Sequence, residues 1–395
     1  MADIKIANIE ELIKNYISGV VIEENVTRLT APGENYGSLM LKVDLKVRNG
    51  DGVKTYHLVA KCVPPNKTVQ ESFNTKETFR NEIAWYSTII PTLQDFQREK
   101  GISNVMDFFA KYYGGRVSLD PDSEDFDEDG VLLVENLVAA GFQCEDRLRG
   151  FDLPTSKAII KSIATLHSTA IALKLQKPHI FETNIKKYLF GHVQMEMGSV
   201  IFETPLEVIE EMTDLASVFP KVKEALKVNP FGREGCREPW ASPVHTDLWM
   251  NNIMVNPEEP KVALVDLQTT KYKSAVCDLI FFLMTSVEIP LARKHLDELI
   301  ALYYDEFISN LTALHADTSE FSHDRFMAEL KMEAYAQFAH ALFFAMVMSA
   351  QKMDDLADAG HEFMDQVIKF SRQVSPRHKE KYRFLVEEFT KRNWI

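Results

Sequence analysis

The chain has 395 residues, of which 46% are hydrophobic, and its formal net charge at pH 7 is −14. A chain of this length divides into more than one structural unit and has enough apolar side chains for buried cores. The acidic balance argues against a nucleic-acid partner or an anionic membrane surface, and we find no apolar run of membrane-spanning length and no signal-peptide core. We therefore predict a cytoplasmic protein.

The cysteines are scattered and form no C-x-x-C pair, so they indicate neither a zinc site nor a disulfide framework. They are Cys62, Cys144, Cys236 and Cys277.

The sequence pattern of the N-terminal part predicts one helix followed by strands. Residues 8–19 carry apolar side chains at helical spacing, and residues 26–63 contain strand-like runs. Asn49-Gly50-Asp51-Gly52 within these runs is a strong signal for a hairpin turn.

A polar loop at residues 30–38 lies between two of the strand-like runs. Gly33 and Gly37 free the backbone for a tight turn. The side chains that could donate hydrogen bonds to phosphate oxygens are Asn35, Tyr36 and Ser38. Taken alone the loop is typical of a plain β-turn, and only its place before Lys61 favours a phosphate-binding role.

Lys61 ends the strand-like run Val59-Ala60-Lys61, which is similar to the kinase V-A-I-K strand whose lysine contacts the α and β phosphates. Residues 79–86 follow with helical periodicity and place Glu82 on a helix where it could pair with that lysine. A solvated strand-end charge is the alternative for Lys61 alone.

Residues 120–130 are rich in carboxylates, but sequential carboxylates without a defined ligand loop favour a solvated hairpin tip over a metal site. We expect a smaller nucleotide-binding lobe, residues 1–135, to end at a hinge near Glu135. A mainly helical lobe, residues 136–395, should then carry the catalytic loop and the acceptor site.

The segment His245-Thr246-Asp247-Leu248-Trp249-Met250-Asn251-Asn252 predicts phosphoryl-transfer chemistry. In protein kinases an Asp orients the attacking hydroxyl, an Asn five residues later holds magnesium, and a second metal-binding Asp ends the following strand. Asp247, Asn252 and Asp266 have this order and spacing. Ordinary turn-forming Asp and Asn residues are the alternative, which the upstream lysine and glutamate make weaker.

Together these motifs resemble the ecdysteroid kinase-like family, within the small-molecule kinases that include aminoglycoside phosphotransferases and choline kinases. The specific stretches are the N-Y-x-S loop, the F-x-x-E-x-x-x-Y run from Phe79, L-V-E-N-L from Leu133, H-x-D-L-W-x-N-N and V-D-L-Q. The resemblance implies an α+β, two-lobed protein-kinase-like fold, with a small β-rich N-terminal lobe and a larger, mainly helical C-terminal lobe. It also implies ATP and Mg²⁺ as cofactors.

By resemblance, Asp247 is the catalytic base or hydroxyl-orienting group, Asn252 and Asp266 are magnesium ligands, Lys61 and Glu82 position the phosphates, and the backbone from Glu135 to Leu137 receives adenine. Asp278 matches an acidic residue that braces the catalytic loop in such kinases. A helix N-cap is its alternative role.

Departures from the protein-kinase pattern point to a small acceptor. Thr246 stands where protein kinases have Arg and where aminoglycoside phosphotransferases commonly have Gly, and Leu267-Gln268 replaces Phe-Gly. Only residues 268–277 separate the strand end from the next predicted helix, which is too short for a peptide-docking activation segment.

Three further features have a structural and a functional interpretation. His167 is better explained as a core histidine bonded to neighbouring backbone than as a base, and His245 as a residue that holds the loop through its ring nitrogens. Residues 326–348 are apolar on more than one helical face, which favours a buried core helix; the alternative is that one face lines an apolar acceptor pocket.

The predicted function is ATP- and Mg²⁺-dependent phosphorylation of a hydroxyl on a small, largely apolar acceptor such as an ecdysteroid, without an obligate protein partner. The helical lobe sets few acids among its aromatics, which argues against a choline site, and His340 and Gln337 could select hydroxyls. The alternative is an inactive kinase-fold protein that binds nucleotide or an apolar ligand. No G-x-S-x-G or H-E-x-x-H motif supports a hydrolase.

Overall fold

The structure is a computed structural model of the chain, and it describes residues 5–29, 38–120, 122–123, 125–189, 199–228, 237–259, 261–349 and 372–395. The strands are β1 (Val20–Arg28), β2 (Leu39–Asn49), β3 (Gly52–Cys62), β4 (Tyr112–Arg116), β5 (Val131–Glu135), β6 (Gln143–Cys144), β7 (Ala241–Val244), β8 (Ile253–Asn256), β9 (Lys261–Leu264) and β10 (Lys271–Ser274). The helices are α1 (Ile9–Ile13), α2 (Lys67–Ser72), α3 (Thr75–Ala84), α4 (Ile90–Glu99), α5 (Leu153–Gln176), α6 (Pro178–Asn184), α7 (Glu203–Glu210), α8 (Phe219–Ala225), α9 (Val276–Thr285), α10 (Ile289–Ala313), α11 (His323–Ser349) and α12 (Pro376–Lys391).

The first five strands form one antiparallel sheet with the order β1-β2-β3-β5-β4. Side chains alternate between the two faces of a strand, and the buried Leu41 and Val43 of β2 pack on one face beneath Ile9 and Ile13 of α1. Because Leu41 pairs with Ala60, the next residue, Lys61, lies on the opposite face of the sheet. The apolar pattern of the sheet therefore orients this lysine away from the α1 side.

The turn between β2 and β3 confirms the predicted hairpin. Asn49 pairs with Gly52, so Gly50 and Asp51 are the two connecting residues, and the Asp51 N–H donates to Asn49 Oδ1 at 2.9 Å. Gly52 has φ of 125°, a conformation that side chains disfavour. The acidic tract likewise lies in the connection between the paired strands β4 and β5, as predicted.

Two boundaries differ from the sequence prediction. The first helix covers only Ile9–Ile13, and the first strand already begins at Val20, where β-branched residues start. The helix that carries Glu82 extends beyond the predicted residues 79–86: a π-helical turn, Trp85–Ile89, joins α3 to α4, and Pro91 lies in the first turn of α4. A proline is tolerated there because the first N–H groups of a helix need no helical acceptor.

The rest of the described chain is mainly helical, with α5 packed against α10, α9 against α11, and α11 against α12. Every residue of α9 is buried. Within α11, all residues of 334–349 are buried except Tyr335, Phe344 and Val347, which are half-buried. Residues 334–349 are thus buried as the core-helix interpretation predicts, and the acceptor-pocket alternative stays a prediction.

Helix α5 departs from the expectation that no apolar run reaches membrane-spanning length. Its 24 residues include a window with mean hydropathy 1.3, which is enough for a span by length and composition. However, 67% of that window is buried inside the protein, as is usual for a central core helix. Its composition is therefore weak evidence for a membrane segment.

Two small sheets lie beside these helices and carry the loops of the site. β7 pairs with β10, and β8 lies between β6 and β9, all antiparallel. The architecture is the predicted α+β fold, with a β-rich N-terminal lobe and a mainly helical C-terminal lobe. The exact division after residue 135 stays a prediction.

Candidate active site

The predicted catalytic loop leaves the end of β7 and returns through a 3-10 turn, Met250–Asn252, into β8. His245 fixes the start of this loop through both ring nitrogens. Its Nε2 donates to the Val265 carbonyl at 2.9 Å, and its Nδ1 accepts the Asp247 N–H at 3.3 Å. The structural role predicted for His245 is therefore confirmed.

Asp278 braces the same loop from the first turn of α9. Its carboxylate accepts the N–H groups of His245 at 2.7 Å and Thr246 at 2.9 Å. Burial alone would raise the pKa of Asp278, but bonds from His167 and the loop hold it below its usual value. Helix α9 begins after Ala275, so Asp278 is not its N-cap, and the bracing role is the one that the contacts show.

His167 bonds to Asp278, and the partners that the sequence predicted for its ring were wrong. Its ring nitrogens meet side chains and not neighbouring backbone: Nδ1 lies 2.8 Å from the Tyr303 hydroxyl, and Nε2 lies 3.3 Å from Asp278 Oδ2. All three residues are buried. The expectation that His167 is a core histidine holds, with α9 and α10 supplying its partners.

One carboxylate oxygen of Asp247 accepts a hydrogen bond, and the other has no hydrogen-bond partner among the described residues. Asn252 Nδ2 donates to the Asp247 carbonyl at 2.9 Å and to its Oδ2 at 2.8 Å. The other oxygen, Oδ1, is buried and accepts no hydrogen bond from the described residues. Burial, followed by the nearby Asp266 carboxylate, raises the pKa of Asp247 well above its usual range. A hydroxyl donor would satisfy Oδ1.

Lys61 joins the two lobes by bonding to carboxylates from each. Its Nζ lies 2.5 Å from Glu82 Oε2 and 2.6 Å from Asp266 Oδ1. Burial alone would lower the pKa of Lys61, but the two carboxylates raise it above its ordinary value, so the ammonium is charged. The predicted Lys61–Glu82 pair is therefore formed in the structure.

Two backbone contacts hold helix α3 against the strand end that carries Asp266. The Leu267 N–H donates to Glu82 Oε1 at 3.3 Å, and Asn81 Nδ2 donates to the Gln268 carbonyl at 2.8 Å. Asn81 was not among the predicted site residues, although its place directly before Glu82 in the sequence indicates a position near the site. Tyr303 was also missed, and nothing in its local sequence marks it.

The predicted hinge follows β5. The Asn136 N–H donates to the His57 carbonyl at 3.0 Å, and the Leu137 carbonyl accepts the Phe142 N–H at 2.9 Å. Glu135 and Leu137 thus lie on a backbone segment that is bonded both to the sheet and to its own turn. Its adenine-binding role stays a prediction.

The phosphate-binding loop predicted at residues 30–38 lies mostly outside the described residues. This applies to Asn35 and Tyr36, together with Gly33 and Gly37. Ser38 is described, half-buried and directly before β2.

An aromatic cluster follows the catalytic loop towards α11. The rings of Trp249 and Phe344 meet edge to face at 5.7 Å, and Phe281 stacks on His340 at 4.4 Å. Burial, and then the charges of Lys273 and Lys271, lower the pKa of His340 to about 3. Its ring is therefore neutral at physiological pH, and its Nδ1 lies 3.0 Å from Gln337 Oε1.

The described part of the chain contains no group of three or more His, Cys, Asp or Glu residues able to hold a metal ion. This donor set still fits Mg²⁺ in a nucleotide site, because that ion is usually held by one or two protein oxygens together with phosphates and waters. Asn252 and Asp266 supply such oxygens, and Asn252 Nδ2 is already committed to Asp247.

Comparisons with solved structures give similar folds at low identity. Plasmodium vivax ethanolamine kinase has a TM-score of 0.40 at 9% identity, over 94% of this chain and 84% of that chain. A spectinomycin phosphotransferase in complex with ADP and spectinomycin has a TM-score of 0.41 at 11% identity, over 96% and 99% of the two chains. An amicoumacin kinase in complex with AMP-PNP and Ca²⁺ has 0.39 at 12%, over 88% and 87%. Scores in this range carry no argument about function.

A comparison with curated protein sequences finds no match. The family model described as "Ecdysteroid kinase-like family" matches residues 32–316, which is well over half of the chain and includes the lysine, the catalytic loop, Asp266 and Asp278. The chain therefore belongs to the ecdysteroid kinase-like family and is a kinase that takes an alcohol group as its acceptor.

Proposed function

We propose that this protein transfers the γ-phosphoryl group of ATP to a hydroxyl of a small, largely apolar molecule. The proposal rests on two carboxylates, those of Asp247 and Asp266, which come before and after Asn252 in the sequence. Asp247 has one buried oxygen without a described partner, and Asp266 is joined to the buried Lys61. Phosphoryl transfer depends mainly on positioning and electrostatic stabilisation, which such a rigid array supplies.

We assign the nucleotide to the cleft between the β-rich sheet and the catalytic loop. Lys61, oriented by Glu82, would contact the phosphates, and the backbone at Glu135 and Leu137 would bond to adenine. Asn35, Tyr36 and Ser38 would cover the phosphates by analogy with the family pattern. Asn252 and Asp266 would hold Mg²⁺, which neutralises developing charge on the phosphate oxygens when it is bound.

Asp247 would orient the acceptor hydroxyl. Its Oδ1 is an unsatisfied acceptor, and its Oδ2 is fixed by the Asn252 amide, so the carboxylate has one defined direction in which to receive a proton. The raised pKa that burial and Asp266 produce brings the carboxylate closer to the range in which it accepts a proton readily.

For the acceptor, we favour a polyhydroxylated steroid such as an ecdysteroid, followed by other lipophilic alcohols. Trp249, two residues after Asp247, begins the aromatic cluster that continues through Phe344 to Phe281 and His340. Apolar pockets with a few neutral polar groups suit such ligands. A neutral His340 beside Gln337 offers hydrogen bonds without a charge, which suits hydroxyls better than a quaternary ammonium.

Transfer of labelled γ-phosphate from ATP to a panel of hydroxylated steroids, cholines and aminoglycosides tests this proposal. We expect phosphorylation of an apolar polyol that requires Mg²⁺ and is lost in the Asp247→Asn variant. A choline or aminoglycoside preferred over every apolar alcohol would reject the acceptor class. Binding of ATP without any transfer or hydrolysis, with magnesium or manganese, would favour the inactive kinase-fold alternative.

A further inference from the structure

A small basic pocket lies in the C-terminal lobe, apart from the residues of the candidate active site. Its cavity of about 100 Å³ lies between the loop before α5, the ends of α9 and α11, and the first turns of α12. We call it the basic pocket. The charged residues that line it are Arg147, Arg149, Arg377, Glu380 and Lys381. Four cationic side chains thus meet one carboxylate in a chain whose net charge is −14.

Lys381 is the buried member of this set, with 7% of the residue exposed. Its Nζ donates to the Thr285 carbonyl at 3.0 Å. An ammonium has three N–H donors; besides the Thr285 carbonyl, this one lies 5.3 Å from the centroid of the Phe384 ring, and it forms no ion pair with a carboxylate of the described residues. A buried charge of this kind is costly unless an anion or several acceptors compensate it.

The neighbouring guanidinium groups increase the positive potential at this position. Arg377 lies one turn before Lys381 on α12 and lines the same cavity. Burial, followed by the charge of Arg377, lowers the pKa of Lys381 to about 7, and Glu380 offsets this only in part. Arg149, which also lines the cavity, bonds to Glu288 through its Nε at 2.6 Å.

The cavity is large enough for a small anion. A water molecule takes about 30 Å³ in the liquid, so a cavity of about 100 Å³ has room for one tetrahedral oxyanion. Arginine and lysine together are the usual protein partners of phosphate, since guanidinium groups bind two oxygens and an ammonium supplies a point charge.

We propose that the basic pocket binds a phosphate group, either as inorganic phosphate or on a small phosphomonoester. The bound oxyanion connects Lys381 and Arg377 of α12 with Arg149 of the loop before α5. It thereby fastens α12 to that loop, next to the end of α9, where Lys381 already donates to the Thr285 carbonyl. This inference does not depend on the acceptor or on the kinase mechanism.

The melting temperature of the full chain in phosphate, against chloride at equal ionic strength and pH 7, tests the proposal. We expect a saturable rise of about 2 °C when phosphate is tenfold above its dissociation constant. Lys381→Met and Arg377→Gln should lose this rise. Lys379→Met is the matched control, because Lys379 is on the same helix, pairs with Glu211 and lies outside the pocket; it should keep the rise.

The controls separate this pocket from other phosphate sites. Phosphate bound in the nucleotide cleft would stabilise the parent, Lys381→Met and Lys379→Met proteins equally, and that result would overturn the proposal. No rise in the parent with either inorganic phosphate or glycerol 3-phosphate would overturn it as well. A rise with glycerol 3-phosphate alone, lost in both pocket variants, assigns the site to a phosphomonoester. Arg377 is exposed, so its variant keeps the test valid if Lys381→Met does not fold.

Discussion

At the scale of single residues, the site depends on two non-glycine positions with left-handed backbone. Thr246 has φ of 65° and Asp266 has φ of 62°. Each such conformation costs about 1 kcal/mol or more for a residue with a Cβ. At Thr246 the cost is offset by the N–H bond to Asp278 and by a hydroxyl bond to the Thr269 carbonyl at 3.0 Å. A threonine can thus adopt a backbone conformation that favours glycine.

Replacing Asp247 by Asn should lower turnover by orders of magnitude, while nucleotide affinity and melting temperature change little. The amide keeps the shape of the side chain but cannot accept the hydroxyl proton in the same way. Steady-state kinetics with ATP, together with thermal melting, checks this. Near-normal turnover would remove Asp247 from its proposed role.

Asp266→Asn is the comparison variant, and its expected defect is different. It removes a proposed metal ligand, so magnesium-dependent nucleotide binding should weaken rather than turnover alone. A titration of nucleotide at several Mg²⁺ concentrations distinguishes the Asp266→Asn variant from the Asp247→Asn variant. An unchanged magnesium dependence would refute the ligand role of Asp266.

Lys61 and Glu82 should behave as one unit. Lys61→Met leaves the Glu82 and Asp266 carboxylates facing each other, at a cost of roughly 3 kcal/mol in stability. Glu82→Gln should also impair catalysis, and the double variant should lose clearly less activity than the sum of the two. A double-mutant cycle on kcat/KM measures this coupling. Additive losses would show that the pair does not act together in the working enzyme.

At the scale of elements, three helices converge on the catalytic loop through one buried carboxylate. Helix α9 supplies Asp278, α5 supplies His167, and α10 supplies Tyr303. Because the loop N–H groups bond to Asp278, the packing of these helices sets the position of Asp247. Contacts within the helical lobe therefore hold the catalytic loop.

Tyr303→Phe tests that connection. Without the hydroxyl, the buried His167 Nδ1 loses its partner, and we expect a loss of about 1–3 kcal/mol in stability together with a several-fold lower kcat. Tyr304→Phe is a matched control, since its hydroxyl bonds to the Phe321 carbonyl at 2.9 Å and not to this network. It should lose some stability but keep kcat. Equal kcat in the two variants would mean that the network is structural only.

At the scale of the whole molecule, net charge and local charge have opposite signs. The chain is acidic overall, yet the basic pocket gathers cationic side chains around the buried Lys381. The electrostatic field that the net charge produces at a distance therefore says little about the charge inside a particular cavity. The same holds around His340, in the proposed acceptor region, where burial and then the charges of Lys273 and Lys271 lower the pKa of the ring.

Lys381 should make the stability of the protein depend on pH. Its folded-state pKa of about 7 lies below its ordinary value of 10.5, so the unfolded chain binds the extra proton between these two pH values. The free energy of unfolding should therefore rise as pH increases from about 7 towards 10. Below pH 7 the destabilisation by the buried, charged Lys381 should be fully present. Each pKa unit corresponds to about 1.4 kcal/mol, so a shift from 10.5 to about 7 gives an upper effect of roughly 5 kcal/mol.

The measurement is denaturant unfolding of the parent and Lys381→Met proteins across this pH range, in buffer without phosphate or sulfate. The stability advantage of the methionine variant should be largest below pH 7 and should shrink as pH rises. The charged groups that face Lys381 around the pocket are Arg147, Arg149, Arg377 and Glu380. A constant difference between the two proteins would contradict the lowered pKa.

The sequence by itself determined the chemistry of the site and the kind of fold. The spacing of Asp247, Asn252 and Asp266 is local, and the alternation of apolar residues before Lys61 is also local, so both can be read along the chain. The family match and the two-lobed architecture confirm the predicted family and fold, whereas the roles of Asp247, Asn252 and Asp266 stay predictions.

Only the tertiary structure decided which residues meet across long distances. Lys61 and Asp266 are 205 positions apart, and Tyr303 and His167 are 136 apart, so no local pattern indicates either contact. The basic pocket likewise collects residues from four separate segments. The physical reason is that burial and helix packing, which act between elements distant in sequence, fix these side chains and set the pKa of each buried group.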